Sequence, residues 1–165
     1  MMTAGELDAT SSTDEYGPIA SDKDFGIKLV TYTNPSYGTD KIILAPGITS
    51  AEQLKGKTVA VLEGGLTQIF MAEWLTDNGV TIDEVNFTNL IMDDAVGAMV
   101  GGTAAAAEFW EPFGSQVLEA MPGATVAADS TEEKYITTAM LGDAMYMSTA
   151  FLEKRPEDAA KLARA

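Results

Sequence analysis

The chain has 165 residues, 46% of them hydrophobic, which is enough for one domain or two small lobes with a buried core. Its net charge of −15 argues against nucleic acid and anionic membranes as partners and favours solubility. Cysteine and histidine are both absent, which excludes disulfides, thiolate or imidazole catalysis and the usual transition-metal ligands, so neither a metal nor another cofactor is expected.

No stretch of about eighteen apolar residues exists to cross a membrane. The opening Met-Met-Thr-Ala-Gly-Glu-Leu-Asp lacks the basic and apolar segments of a signal peptide. Gly26 to Thr33 reads as a strand on its β-branched and aromatic content, and 34–40 as a loop on turn chemistry. Lys41 to Ala45 is a second strand, and Ser50 to Leu54 a short helix with Ser50 as its cap. Lys57 to Leu62 is an apolar strand. From Thr67 the apolar residues recur at helical spacing until Asn78-Gly79. Glu84 to Thr88 is a strand, followed by a helix capped by Asp93 or Asp94 and ended at Gly101-Gly102. Ala104 to Phe109 is a strand, Phe113 to Met121 a helix and Ala124 to Ala127 a strand; Pro156 opens a last helix. This βα alternation predicts a mostly parallel sheet, with 50–129 as a complete small α/β unit.

Two strand ends carry the candidate chemistry. Glu63-Gly64-Gly65-Leu66-Thr67 follows one strand and opens a helix, where unpaired backbone N–H groups and the helix dipole attract an anion. The same residues also suit an ordinary tight turn with Thr67 as a cap. Trp110-Glu111-Pro112-Phe113 follows the other strand and delivers an aromatic ring and a carboxylate into a loop; a core Trp beside a solvated Glu is the alternative. The acids Glu63, Glu108 and Glu111 favour an amine on the ligand. Gly56-Lys57-Thr58 is not a phosphate loop, because it precedes its strand and lacks the upstream glycine. Met140, Met145 and Met147 are expected in the core.

In order and spacing, Leu54-Lys55-Gly56-Lys57-Thr58-Val59-Ala60-Val61, Glu63-Gly64-Gly65 and Trp110-Glu111-Pro112-Phe113 resemble the substrate-binding proteins of ABC importers. The branch is the nitrate, sulfonate, taurine and thiamine-precursor group. Ala4-Gly5-Glu6-Leu7-Asp8-Ala9 and Phe151 to Glu157 extend the resemblance over nearly the whole chain. One departure is Ala105, where the family commonly carries an Asp.

The resemblance implies an α/β periplasmic-binding-protein type 2 fold, with one complete three-layer lobe and part of the other. It places a partial first lobe and hinge at 1–45, a complete second lobe at 46–130, and a return hinge with partial first lobe at 131–165. Members run to about twice this length, so the chain is expected to be a truncation that lacks its signal peptide and acts in the periplasm or outside the cytoplasm. The resemblance adds ligand contacts at Thr10 and Ser11, at the end of a first-lobe strand, and at Ser36 and Tyr37. The expected function is non-catalytic capture of a small anionic or zwitterionic solute, such as a sulfonate, taurine or nitrate, for an ABC permease. The alternative is an enzyme on the same fold, either a pyrimidine-precursor synthase or a carboxylate-based hydrolase. A partial lobe would expose strand edges, so self-association is also expected.

Overall fold

The computed structural model describes residues 1–138 and 140–165. In chain order the strands and helices are β1 (Ala9–Thr13), α1 (Tyr16–Asp22), β2 (Ile27–Pro35), β3 (Lys41–Leu44), β4 (Thr58–Val61), α2 (Leu66–Asp77), β5 (Asn86–Asn89), α3 (Met92–Val100), β6 (Ala106–Phe109), α4 (Phe113–Ala120), β7 (Thr125–Asp129), α5 (Glu133–Thr138), β8 (Gly142–Ser148), α6 (Thr149–Lys154) and α7 (Pro156–Leu162). The chain divides into two compact units. Unit 1 comprises Met1–Ser36 and Thr137–Ala165, and unit 2 is Tyr37–Ile136.

Unit 2 is built on a five-stranded sheet in the order β5-β4-β6-β3-β7. β4 lies parallel to both β5 and β6, whereas β3 runs antiparallel to β6 and β7. Four of the five strands, β5, β4, β6 and β7, therefore share one direction, as expected of a mostly parallel sheet, and β3 inserts head-down between β6 and β7. All four residues of β6, and Val59 to Val61 of β4, are buried, as strands covered on both faces must be.

Alternation along β6 sends Ala107 and Phe109 into a core with Ile43, Ala60, Met92, Ala95, Met99 and Val117, beneath α3 and α4. On the opposite face α2 buries Leu66, Thr67, Phe70, Met71, Trp74 and Leu75, a stripe at helical spacing. Tyr135 of α5 stands edge-on to Phe70, 4.7 Å between ring centroids. The result is a helix–sheet–helix sandwich.

Helix ends follow local chemistry. α2 stops in a Schellman motif: Gly79 takes φ +76°, its N–H donates to the Thr76 C=O, and the Val80 N–H donates to the Leu75 C=O. Thr81 and Glu84 then form a capping box around a single 3-10 turn, which delays β5 to Asn86. The residue capping α3 is Ile91, with no side-chain bond; Asp93 and Asp94 lie instead in the first turn, where they complement the helix dipole. Ser50 likewise precedes a 3-10 turn (Ala51–Leu54) without a side-chain cap bond.

Unit 1 has an antiparallel sheet in the order β1-β8-β2. Met147 packs with Phe151 and Ala159, and Met145 lies against that cluster, so these two methionines belong to the core. The Ser148 hydroxyl caps α6 by accepting from the Phe151 N–H at 3.1 Å. No described helix is long and apolar enough to cross a membrane.

Phe109 is fully buried at the centre of the α3–α4 core. Phe109→Ala is expected to destabilise unit 2 by about 3–5 kcal/mol, read as a lowered urea midpoint with secondary structure retained in buffer.

Candidate functional site

Because β4 and β6 are parallel neighbours, with Val59 opposite Ala106 and Ala60 opposite Ala107, their carboxyl ends open on the same edge of the sheet. β3 runs the other way with Lys41 opposite Phe109, so the 37–40 loop feeds into that edge too. In an open α/β sheet this edge is where ligands bind. It gathers Tyr37, Glu63, Gly64, Gly65, Thr67, Trp110 and Glu111.

The turn after β4 is largely satisfied by its own groups. Gly64 adopts φ +76°, a left-handed conformation that favours glycine. The buried Thr67 hydroxyl accepts from the Leu62 N–H at 2.7 Å and donates to the Leu62 C=O at 3.2 Å, so it stitches the turn to the strand. Gln68 Oε1 accepts from the Gly64 N–H at 2.8 Å, and Asn89 Oδ1 from the Glu63 N–H at 3.1 Å. The Gly65 N–H donates to the Leu62 C=O. The amides of Leu66 and Thr67 have no partner among the described residues, and they are the pair left to face a ligand at the α2 N-terminus. Glu63 is exposed.

After β6 the peptide bond between Glu111 and Pro112 is cis. The half-buried Trp110 ring meets Phe113 edge-on at 6.0 Å. Glu111 is not a free carboxylate: Oε1 accepts from Lys41 Nζ at 2.8 Å and Oε2 from the Ser115 N–H at 3.1 Å. The Lys41 bond, reinforced by Ser115, draws its pKa below the usual 4.5. Lys41, which is mostly buried, also donates to the Gly38 C=O and lies 4.0 Å from Asp129.

Glu108 is fully buried within β6, so the expectation that it would favour a ligand amine from the cleft fails for this residue. Asp40 sits beside it; the Ser130 hydroxyl accepts from the Gly38 and Asp40 N–H groups, and the Ser130 N–H donates to the Asp40 C=O. The sequence reading missed Lys41 and Ser130. Their signal was a lone cation opening an apolar strand, and a Ser closing another.

The remaining predicted residues belong to unit 1. Thr10 and Ser11 lie inside β1, opposite Tyr146 and Met145, rather than at its end. Ser11 Oγ donates to the Ala144 C=O at 3.4 Å. The Ser36 N–H donates to the Leu141 C=O at 2.8 Å. Where β1 ends, burial, then the Glu15 and Asp143 charges, lift the Asp14 carboxyl to about 6. Among the described residues no group of three or more His, Cys, Asp or Glu could hold a metal ion.

The sequence matches the NMT1-like family over residues 2–165. The chain belongs to that family. No curated protein sequence matches it. Among solved structures, this NMT1-like chain is similar to the periplasmic aliphatic sulphonate binding protein SsuA from Escherichia coli. That match has 22% identity and a TM-score of 0.80, covering 97% of this chain and 51% of the other. It is also similar to the alkanesulfonate-binding protein SsuA from Xanthomonas axonopodis pv. citri bound to MOPS, at 18% identity and TM-score 0.82, covering 98% and 54%. The desulfurization enzyme DSZB is more distant, at 14% identity and TM-score 0.61, covering 92% and 59%. These likenesses show the periplasmic-binding-protein fold, and the chain spans about half the length of the two SsuA structures.

Thr67→Val keeps the side-chain shape but strands the Leu62 N–H and leaves the Leu62 C=O with the Gly65 N–H alone, at an expected cost of about 1–3 kcal/mol; Thr67→Ser should retain most of the stability in the same denaturant titration. Glu111 has a folded pKa below its ordinary 4.5, so the stability it contributes is complete above that pH and fades as pH falls through the folded value. Glu111→Gln is expected to flatten that acid limb of a stability-versus-pH curve.

Proposed function

We propose that this chain is the solute-capturing part of an ABC-importer binding protein that acts outside the cytoplasm and delivers a small anionic or zwitterionic solute to a membrane permease. The observation that carries the reading is the convergence, along one edge of unit 2, of the α2 N-terminus and the Trp110 turn. An unpaired pair of helix-terminal amides beside an aromatic wall suits an oxyanion on a small organic body. Glu111 is neutralised by Lys41 and does not oppose such a ligand. Membership of the NMT1-like family and likeness to two sulfonate-binding proteins support a sulfonate, with taurine and nitrate as related candidates. Ligand contacts from Thr10, Ser11, Ser36 and Tyr37 complete the proposed cleft between two lobes.

The role is non-catalytic. The likeness to a desulfurization enzyme brings chemistry on this fold into view, but these 165 residues contain neither Cys nor His. A nucleophile or base would have to come from Lys, Ser, Thr, Tyr or a carboxylate. Glu111, the carboxylate best placed, is already bound by Lys41 and Ser115.

A calorimetric titration and thermal-shift panel of alkanesulfonates, taurine, nitrate and choline tests the reading. An anion or zwitterion at a hundred times its Kd should add about 2.7 kcal/mol to stability, and Trp110→Ala should abolish the shift. Stabilisation by choline alone, or turnover of a sulfonate to a new product, would overturn it.

A further inference from the structure

Glu108 is an acid where an acid is costly. It lies in β6 with none of its surface exposed, and among the described residues no N–H or hydroxyl donor reaches either carboxyl oxygen. It pairs across the ladder with Ile42, so Asp40, two residues earlier on the same side of the β3 line, is its diagonal neighbour. Asp40 is itself only 5% exposed. Two carboxylates side by side have no proton to share and repel each other; one proton between them turns the contact into a hydrogen bond.

We propose that Asp40 and Glu108 share a single proton and so act as a latch that fixes the 37–40 loop against β6. The inference concerns the loop alone and does not depend on which solute, if any, is bound. The Asp40 backbone and Ser130 transmit the latch: the fully buried Ser130 hydroxyl takes the Gly38 and Asp40 N–H groups, and its own N–H goes to the Asp40 C=O. Glu108 is thus a positioning residue for the loop that opens with Tyr37.

The other charges around the pair are already engaged. Lys41 leans to the α4 face, against Phe109 and Gly114, and pairs with Glu111 and Asp129. On the α2 face, Glu73 and Asp77 are both held by Lys134 of α5. Tyr135 there is lifted above its usual 10 by burial first and then by Glu132. Asp40 is the charge that acts on Glu108, whose carboxyl is held well above 4.5 by burial first and by Asp40 second.

The sign follows directly. A carboxyl with a raised folded pKa gives a folded state that binds more protons than the unfolded chain above pH 4.5, so stability falls as pH rises toward the folded value. Asp14 has the same sign, but its contribution is spent not far above its pKa of about 6. The diagnostic window therefore lies above pH 7, where Asp14 and ordinary carboxylates have finished titrating.

Urea unfolding of the wild-type chain should show a falling midpoint across that window, by up to about tenfold in the folding constant per pH unit. Glu108→Gln, whose amide can donate to Asp40 without titrating, should remove the slope. Hydrogen exchange of the Gly38 and Asp40 amides should accelerate beyond its intrinsic pH dependence in wild type and not in Glu108→Gln. A flat wild-type midpoint, or a slope that survives Glu108→Gln, would overturn the shared proton; pH-independent protection of both amides would overturn the latch. Should Glu108→Gln fail to fold, carboxyl carbon NMR of wild type decides. A Glu resonance that stays protonated to pH 7 supports the pair, and titration of every Glu below pH 7 refutes it.

Discussion

The parallel adjacency of β4 and β6 is the constraint on which unit 2 depends. Helices cover both faces of these strands, so their middles must be apolar, and polar chemistry is confined to where each chain turns out of the sheet. Parallel register puts both exits on one side. The Gly64-Gly65 turn and the Trp110-Glu111 turn are neighbours for that reason, although forty-odd residues of sequence separate them. Thr67 and Gln68 hold the first turn with side chains that bond back to the backbone, leaving the leading amides of α2 without a partner among the described residues.

Electrostatics at this edge are set by one lysine. Unit 2 is rich in acids, yet Lys41 sits among Gly38, Glu111 and Asp129 with most of its side chain out of water. Removing it would leave Glu111 and Asp129 near each other without their cation. Glu108, on the opposite face, has no such cation among the described residues and is driven toward neutrality instead. Two acids three residues apart in sequence thus reach opposite protonation behaviour because alternation and the strand end give them different neighbours.

Much of unit 2 was legible because its signals are periodic and local. The apolar runs at 57–62 and 104–109, the helical spacing after Thr67 and the Asn78-Gly79 stop each depend on a few adjacent residues. β1 escaped because Ala-Thr-Ser-Ser-Thr has no apolar alternation, and α1 because its seven residues contain Gly17 and Pro18. β8 begins on Gly142 and Asp143, which read as turn chemistry, and α5 is only six residues long. Strand direction was beyond local reading, and so the reversal of β3 was missed. The edge residues at 63–67 and 110–111 could be picked from strand ends, but the Lys41–Glu111 pair spans seventy positions and the Gly38–Ser130 bond ninety-two.

The antiparallel seating of β3 beside β7 has a kinetic corollary. Lys41 lies opposite Asp129, and Ser130 binds both Gly38 and Asp40, so the first and last strands of unit 2 finish side by side. In unit 1, β2 must find β8 across the hundred residues between Ser36 and Thr137. Once unit 2 has folded, its joined ends replace that hundred-residue loop with a much shorter one, which lowers the loop-closure entropy cost. To the antiparallel sheet, a folded unit 2 is a short loop.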